Sequence, residues 1–192
     1  AKSPDFAEAW KNLGNALLQT GPPDEAMAHY RKALEINPNY SDAHYDLGIL
    51  LAQTGWPNEA IYQYIKALEI NPNNIEAHNN LGTILFQTGQ TDEALAHFRK
   101  ALKINPNDSE THFNLGNALL QIGHPDEAIV HLLMTLKINP NDADAHYNLG
   151  NALLLTGRID EAIAHYRKAL EMKPDKIDIL NNLARAFVQK GQ

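Results

Sequence analysis

Cysteine is absent from the 192 residues of the chain, which excludes disulfide bonds, thiolate zinc sites and cysteine nucleophiles. Long hydrophobic runs are missing too, since no stretch reaches the roughly 18 apolar residues that span a bilayer. The first residues, AKSPDFAEAW, lack the basic and then apolar pattern of a signal peptide, although such a peptide can be removed from a mature chain. A chain without cysteine fits a reducing compartment, so we expect a cytoplasmic location.

Positive charge is scarce. The chain has 16 lysines and arginines against 23 aspartates and glutamates, for a net charge of −7. A protein that binds nucleic acid is expected to present a basic face. We therefore expect neither nucleic acid nor a membrane as a partner. The composition, with 44% hydrophobic and 20% charged residues, is ordinary for a folded domain.

Glycine and proline are few, and they occur only at fixed points of a 34-residue period. Counting Ala7 as position 1, glycine occupies positions 8 and 15, and proline occupies positions 16, 17 and 32. The period defines five full repeats, at residues 7–40, 41–74, 75–108, 109–142 and 143–176. We interpret residues 177–192 as a half repeat or capping helix, and residues 1–6 as the tail of a preceding repeat.

Between these points the apolar residues recur at three- and four-residue steps, which predicts α-helices. Each repeat is predicted to hold helix A at about positions 1–14 and helix B at about positions 17–30, separated by a left-handed glycine cap at position 15. The position-8 glycine costs about 1 kcal/mol inside helix A, and close approach of helix B is expected to offset this cost. A lone helix pair cannot bury its apolar face, so the repeats are predicted to stack.

The spacing of the marker residues resembles the tetratricopeptide repeat. In the first repeat the markers are Trp10, Leu13, Gly14, Leu17, Gly21, Ala26, Tyr30, Ala33 and Pro38. The resemblance recurs five times and covers nearly the whole chain. It implies an all-α fold, a right-handed α-solenoid of stacked helix-turn-helix repeats. It also implies a single array over residues 1–192, with a concave groove made mainly by helix A.

The resemblance places positions 5, 6 and 9 of helix A on this groove, and asparagine predominates at positions 6 and 9. Position 6 carries Asn12, Asp46, Asn80, Asn114 and Asn148, and position 9 carries Asn15, Asn117 and Asn151. A side-chain amide has one acceptor and two donors, which match the N–H and C=O of a peptide unit. The row is similar to the asparagine ladder in the repeat superhelix of O-GlcNAc transferase, and it predicts binding of an extended peptide. Alternatively, these asparagines are default polar residues of a solvated face, or they bond between adjacent helices.

Other groove positions qualify the expected ligand. Aromatic side chains at position 5 are further candidates for peptide contacts: Tyr45, Phe113 and Tyr147. Position 2 is acidic in every repeat, which favours a neutral or basic peptide over an acidic one. The family's clamp for acidic tails is not expected, because Asp46, Glu76 and Asn80 stand where it needs Asn, Lys and Arg.

Neither catalysis nor a cofactor is predicted. The carboxylates recur with the period, and every glycine is a repeat marker, so no phosphate loop is available. Most histidines lie at positions 4 and 23, where consecutive members of each row belong to different repeats on helices about 8–10 Å apart. Since metal–imidazole bonds are about 2 Å long, we interpret these histidines as packing residues and expect no metal site.

The outer face of helix B differs between repeats. Positions 22, 25 and 26 read Ala-Arg-Lys in the first, third and fifth repeats. The second and fourth repeats carry larger apolar residues there, namely Tyr62, Ile65, Val130, Leu133 and Met134. Exposed apolar patches are typical of contact surfaces. These residues are therefore candidate contacts of a homo-oligomer.

Three hypotheses follow from the sequence. The favoured one is a non-enzymatic protein–protein interaction scaffold that binds an extended peptide or flexible segment in its groove. The second is a structural or oligomerisation module that acts through its convex face. The third is the substrate-recognition arm of a larger enzyme, such as a glycosyltransferase.

Overall fold

A computed structural model describes residues 4–19 and 21–191 of the chain. This part holds eleven α-helices and no strand. The helices are α1 (Pro4–Leu17), α2 (Pro23–Ile36), α3 (Ser41–Gln53), α4 (Pro57–Ile70), α5 (Ile75–Gln87), α6 (Thr91–Ile104), α7 (Ser109–Gln121), α8 (Pro125–Ile138), α9 (Ala143–Leu155), α10 (Ile159–Met172) and α11 (Ile177–Lys190). Odd-numbered helices correspond to helix A and even-numbered ones to helix B. The predicted all-α repeat solenoid is confirmed.

Side chains at position 34 cap three of the odd helices, a signal that the sequence reading did not use. The side chains of Asn74, Asp108 and Asp142 accept hydrogen bonds of 2.8–2.9 Å from the backbone N–H groups three residues later. Proline opens α2, α4 and α8, where its missing N–H has no helical partner to lose. These local interactions explain where these six helices begin.

The turn from helix A to helix B depends on glycine. Gly55, Gly89, Gly123 and Gly157 have φ angles of 78–85°, in the left-handed region that other residues rarely adopt. The predicted left-handed cap is therefore confirmed in these four repeats.

Of the expected N-terminal tail, residues 1–3 lie outside the described residues, whereas residues 4–6 begin α1. Gln192, at the end of the expected half repeat, also lies outside them.

The position-8 glycines admit a large side chain from helix B. A Cβ atom added to Gly82 would lie 2.8 Å from ring carbons of Phe98 and 3.1 Å from the carbonyl oxygen of Ala94. The same glycine in the last full repeat, Gly150, would place its Cβ 2.6 Å from Tyr166. Phe98 and Tyr166 are at most 1% exposed. The predicted close approach of the two helices is confirmed.

The chain divides into two compact units, residues 1–104 and residues 105–192. Within each unit, consecutive helices contact each other. Odd helices also touch directly, α3 against α5 in the first unit and α7 against α9 and α9 against α11 in the second. This packing lets side chains of neighbouring odd helices meet. Among the helices described, none is long and apolar enough to cross a membrane.

Candidate functional site

The candidate site is the face of the odd helices that carries positions 5, 6 and 9, which we call the asparagine face. In the first unit it includes Lys11, Asn12, Asn15, Tyr45, Asp46 and Asn80. The Lys11 Nζ lies 3.6 Å from a carboxylate oxygen of Asp46, one repeat further on. The amide nitrogen of Asn80 donates a 3.2 Å hydrogen bond to the Tyr45 hydroxyl. Side chains of successive repeats therefore contact each other on this face.

A hollow of about 350 Å³ lies on the same face in the first unit. It is lined by residues of α3, α4 and α5, including Ile49, Tyr64, Asn80 and Thr83. The ring centroids of Tyr45 and Tyr64 lie 6.0 Å apart, a tilted aromatic contact. The lining of the hollow therefore combines the Asn80 amide and the Tyr64 and Thr83 side chains with apolar residues such as Ile49.

The second unit contains a similar hollow, with a volume of about 380 Å³. Its polar lining includes Asn151, Tyr166, Asn182 and Arg185. The Tyr166 hydroxyl donates to the Asn151 carbonyl oxygen at 2.8 Å, and the Asn182 amide donates to the same oxygen at 2.8 Å. Asn182 also donates to the Tyr147 hydroxyl at 3.0 Å. Sequence reasoning missed Tyr166 as a partner of the row, because it belongs to helix B.

Several predicted peptide-binding amides thus already have partners within the protein. The Asn15 carbonyl oxygen accepts a 2.7 Å bond from Tyr30, and that of Asn117 accepts a 3.3 Å bond from Gln121. The Tyr30 bond agrees with the alternative reading, in which the asparagines bond between adjacent helices, whereas the Gln121 bond lies within α7. Each amide has three hydrogen-bonding groups, however, and one or two bonds leave capacity for a ligand.

The other predicted contacts differ in accessibility. Asn12 is exposed, whereas Phe113, Asn114 and Asn148 are half-buried. Tyr45 and Tyr147 are half-buried as well. The asparagine face therefore offers polar and aromatic atoms to solvent in each unit, and none of these side chains is fully enclosed.

The charges on this face are partly neutralised within the protein. Burial raises the pKa of Asp46, and its ion pair with Lys11 opposes that change. Hydrogen bonds from Lys173 and Lys176, at 2.6 and 2.9 Å, lower the pKa of Asp144, the position-2 acid of the fifth repeat. The acidic bias expected from position 2 is therefore weakened in that repeat.

The histidines of one repeat meet in pairs, which the sequence reading missed. Histidines of consecutive repeats lie in separate rows, whereas positions 4 and 23 of the same repeat come together between helix A and helix B. The Nδ1 atoms lie 2.9 Å apart in His78–His97, 2.9 Å in His112–His131 and 2.8 Å in His146–His165. In the second repeat, His44 instead lies 2.6 Å from a side-chain oxygen of Gln63.

The backbone determines the tautomer of each pair. The Nε2 of His78 lies 3.1 Å from the Pro72 carbonyl oxygen, which can only accept, so neutral His78 carries its proton on Nε2. Its Nδ1 must then accept from the Nδ1–H of His97. Burial lowers the pKa of His78, and burial, His78 and Lys100 lower that of His97 to about 4. Across residues 4–19 and 21–191, no group of three or more His, Asp or Glu side chains suits a metal ion.

The apolar residues proposed for an oligomer contact lie at the surface of helix B. Tyr62 is 56% exposed and Ile65 42%, while Val130 is 59% and Leu133 47% exposed. Met134 is half-buried. These side chains are therefore available to another molecule in both units.

Comparison with known protein families identifies the repeat. Models described as tetratricopeptide repeat match residues 7–40, 143–176, 29–62 and 85–150, and a model described as TPR repeat matches residues 58–89. The matches at 7–40 and 143–176 span the first and fifth repeats of the 34-residue period. A search of curated protein sequences found no match.

Solved structures give the same result. YrrB, described as a TPR protein with an unusual peptide-binding site, is 30% identical, with 90% of this chain and 89% of YrrB aligned at a TM-score of 0.77. A MamA structure is 26% identical, with 92% and 96% aligned at 0.81. PilF of Pseudomonas aeruginosa is also 26% identical, with 98% and 92% aligned at 0.79. The chain belongs to the tetratricopeptide repeat family.

Proposed function

We propose that this chain is a non-enzymatic protein-interaction scaffold that holds an extended peptide segment against the asparagine face. Membership of a repeat family that includes a peptide-binding protein, YrrB, supports the general role. The observation that carries the specific role is the meeting of amides, hydroxyls and aromatic rings from successive repeats in one hollow of each unit.

The side-chain amides of the asparagines are proposed to form hydrogen bonds with the peptide backbone. Asn80 donates a 3.2 Å hydrogen bond to Tyr45 and also hydrogen-bonds to the side chain of Tyr64, so at least one of its three hydrogen-bonding groups remains for a ligand. Asn148 holds position 6 on α9 of the second unit and is half-buried, whereas the hollow there is lined by Asn182, which donates to Tyr147 as Asn80 does to Tyr45. Backbone recognition places little demand on the ligand's side chains, so affinity is expected to depend on an extended conformation more than on sequence.

A neutral or basic peptide is the proposed ligand. Lys11 is paired with Asp46, so it contributes little net positive charge to the face. Exposed acids at position 2, such as Glu8, Asp42 and Glu76, remain near the helix starts. Complementary charge raises the rate of encounter and disfavours acidic partners.

An array of short peptides of varied charge, probed with the labelled protein, tests this proposal. The strongest binder is then measured by calorimetry against Asn80→Ala with Asn148→Ala. Two lost hydrogen bonds predict roughly tenfold weaker binding. Asn141→Ala, an exposed loop asparagine of α8–α9, serves as the matched control and should bind normally.

N-methylation of the peptide backbone separates backbone recognition from side-chain recognition. The methylated peptide should bind as weakly as the parent peptide binds the double variant. Equal affinity of parent and methylated peptides, or full binding by the double variant, would contradict a role for the amides.

The exposed apolar residues of α4 and α8 support a second candidate function, self-assembly through helix B. Val130 and Leu133 occupy positions where the first, third and fifth repeats carry Ala and Arg. Apolar groups exposed next to each other are stabilised by contact with a similar surface. In this alternative the array is a structural module, and its mass in solution exceeds that of one chain.

A further inference from the structure

A second hollow lies away from the asparagine face, between α4, α5 and α6 of the first unit. Its volume is about 800 Å³, within the range of small-molecule sites. The lining is Ile65, Leu68, Glu69, Pro72, Asn73, His78, Leu81, His97, Lys100, Lys103 and Ile104. We call it the α4–α6 pocket. Nothing in the proposed peptide site uses these residues.

The apolar part of the pocket is open to solvent. Leu81 is fully buried in its floor, whereas Ile65 and Ile104 are 42% and 38% exposed at its rim. Position 25, held here by Ile65, is arginine in the first, third and fifth repeats. The second repeat therefore replaces a charged rim with a hydrocarbon one.

The polar part of the pocket carries unbalanced positive charge. In the second repeat, Lys66 at position 26 forms a 2.6 Å ion pair with Glu69 at position 29. The third repeat has Lys100 at position 26 but Lys103 at position 29, so the carboxylate partner is replaced by a like charge. Among the residues described, neither Lys100 nor Lys103 has an ion-pair partner.

The two histidines of the lining add no charge to the pocket. His97 donates its Nδ1–H to His78, and His78 donates its Nε2–H to the Pro72 carbonyl. Their pKa values are lowered, so both rings are neutral near pH 7. Glu69, the one carboxylate of the lining, is already paired with Lys66. An anion bound in the pocket would therefore meet two lysines and one carboxylate whose charge is already neutralised by Lys66.

We propose that the α4–α6 pocket binds an aliphatic carboxylate, with its hydrocarbon chain against Leu68, Leu81 and Ile104 and its carboxylate against Lys100 and Lys103. The apolar floor explains why the proposed ligand carries a hydrocarbon chain. Lysine at position 29, where the first, second and fifth repeats carry glutamate, explains why the ligand is negatively charged. A free small molecule is favoured over a protein surface because the volume of the hollow is that of a small-molecule site and its two lysines suit a single anionic group.

Octanoate and its neutral counterpart octanamide are the probes. Methyl NMR of the intact chain should show octanoate shifting the resonances of Leu68, Leu81 and Ile104. Octanoate should bind about tenfold more tightly than octanamide, because a hydrogen bond to a charged group is stronger than one to a neutral group. Equal affinities, or shifts confined to other residues, would overturn the proposal.

Substitutions already present in other repeats provide variants that the fold accommodates. Lys103→Glu installs the acid found at position 29 of the first, second and fifth repeats, and it should remove the preference for octanoate while octanamide binds as before. Lys137→Glu, the same change in the fourth repeat, is the control and should leave both affinities unchanged. A third variant without a counterpart in the other repeats, Ile65→Ser, removes apolar surface from the rim and should weaken both ligands by the same factor.

Circular dichroism of each variant confirms that the helices are intact before binding is compared. If Lys103→Glu still bound octanoate more tightly than octanamide, the lysines would not be the groups that bind the carboxylate. Neither result bears on peptide binding, since the asparagine face shares no residue with the pocket.

Discussion

The Nδ1 atoms of His78 and His97 lie 2.9 Å apart, and the first ring is held by the carbonyl of Pro72 from the turn before its own helix. The same arrangement joins His146 to His165 and to Pro140. Each pair therefore connects helix A, helix B and the preceding turn. The hydrogen bond between the two Nδ1 atoms requires at least one of the rings to be neutral. The stability of the folded protein therefore depends on pH.

Stability is expected to fall as the pH falls from about 6.5 towards 4. Burial lowers the pKa of His97 and of His165 to about 4, while an unfolded histidine titrates near 6.5. Between these values the unfolded chain binds more protons, so the free energy of unfolding decreases with decreasing pH. The loss should be about 1 kcal/mol per pair, since the rings are only partly buried and solvent screens their charge.

Urea unfolding at a series of pH values measures this slope. The variant His97→Gln with His165→Gln copies the His–Gln pairing that His44 and Gln63 already form. It should lose less stability than the parent protein over the same pH range. An identical slope in both proteins would mean that the carboxylates alone set the acid response.

The residue that stabilises the protein at position 8 should differ between repeats, with glycine preferred in the third repeat and alanine in the sixth. Gly82→Ala places a Cβ atom 2.8 Å from Phe98 and should destabilise the protein by about 1–3 kcal/mol through overpacking. The sixth repeat has Ala184 at this position, exposed on α11. Ala184→Gly should also destabilise, by about 1 kcal/mol, because it only lowers helix propensity. Alanine is thus unfavourable at position 82 and favourable at position 184, which thermal unfolding of both variants checks.

The hydrogen bond between Tyr166 and Asn151 should stabilise the second unit. Tyr166 is fully buried, and burial raises its pKa, which keeps the hydroxyl protonated and able to donate. Tyr166→Phe removes the 2.8 Å bond and should cost about 1 kcal/mol. A double-mutant cycle with Asn151→Ala isolates the pair. Strict additivity of the two changes would show that the bond contributes nothing.

Removal of the apolar patch on α8 should affect only self-association. Leu133→Arg with Met134→Lys installs the pair that the first, third and fifth repeats carry at positions 25 and 26. If the patch joins two chains, light scattering should show a larger mass for the parent protein than for the variant. The circular dichroism of the two should be identical, and an equal mass would remove the second candidate function.

The sequence by itself determined the helices, their order and the close approach of each pair. Glycine at position 8 and a bulky residue at position 24, as in Gly82 and Phe98, are signals that recur at fixed spacing in every full repeat. The left-handed turn at Gly89 is likewise a property of one residue's backbone. Periodicity and turn chemistry depend on neighbours along the chain, so they can be read without a structure.

Only the tertiary structure decided which polar groups meet. His78 pairs with His97, which lies 19 positions away on a different helix. Tyr166 donates a hydrogen bond to the Asn151 carbonyl oxygen, 15 positions away on a different helix. The α4–α6 pocket likewise collects Ile65 and Lys103 from different repeats. Hydrogen bonds and ion pairs act over about 3–4 Å, a distance set by how the helices rotate and pack against one another. A one-dimensional pattern gives the face on which a side chain lies, and the packed helices decide what it touches there.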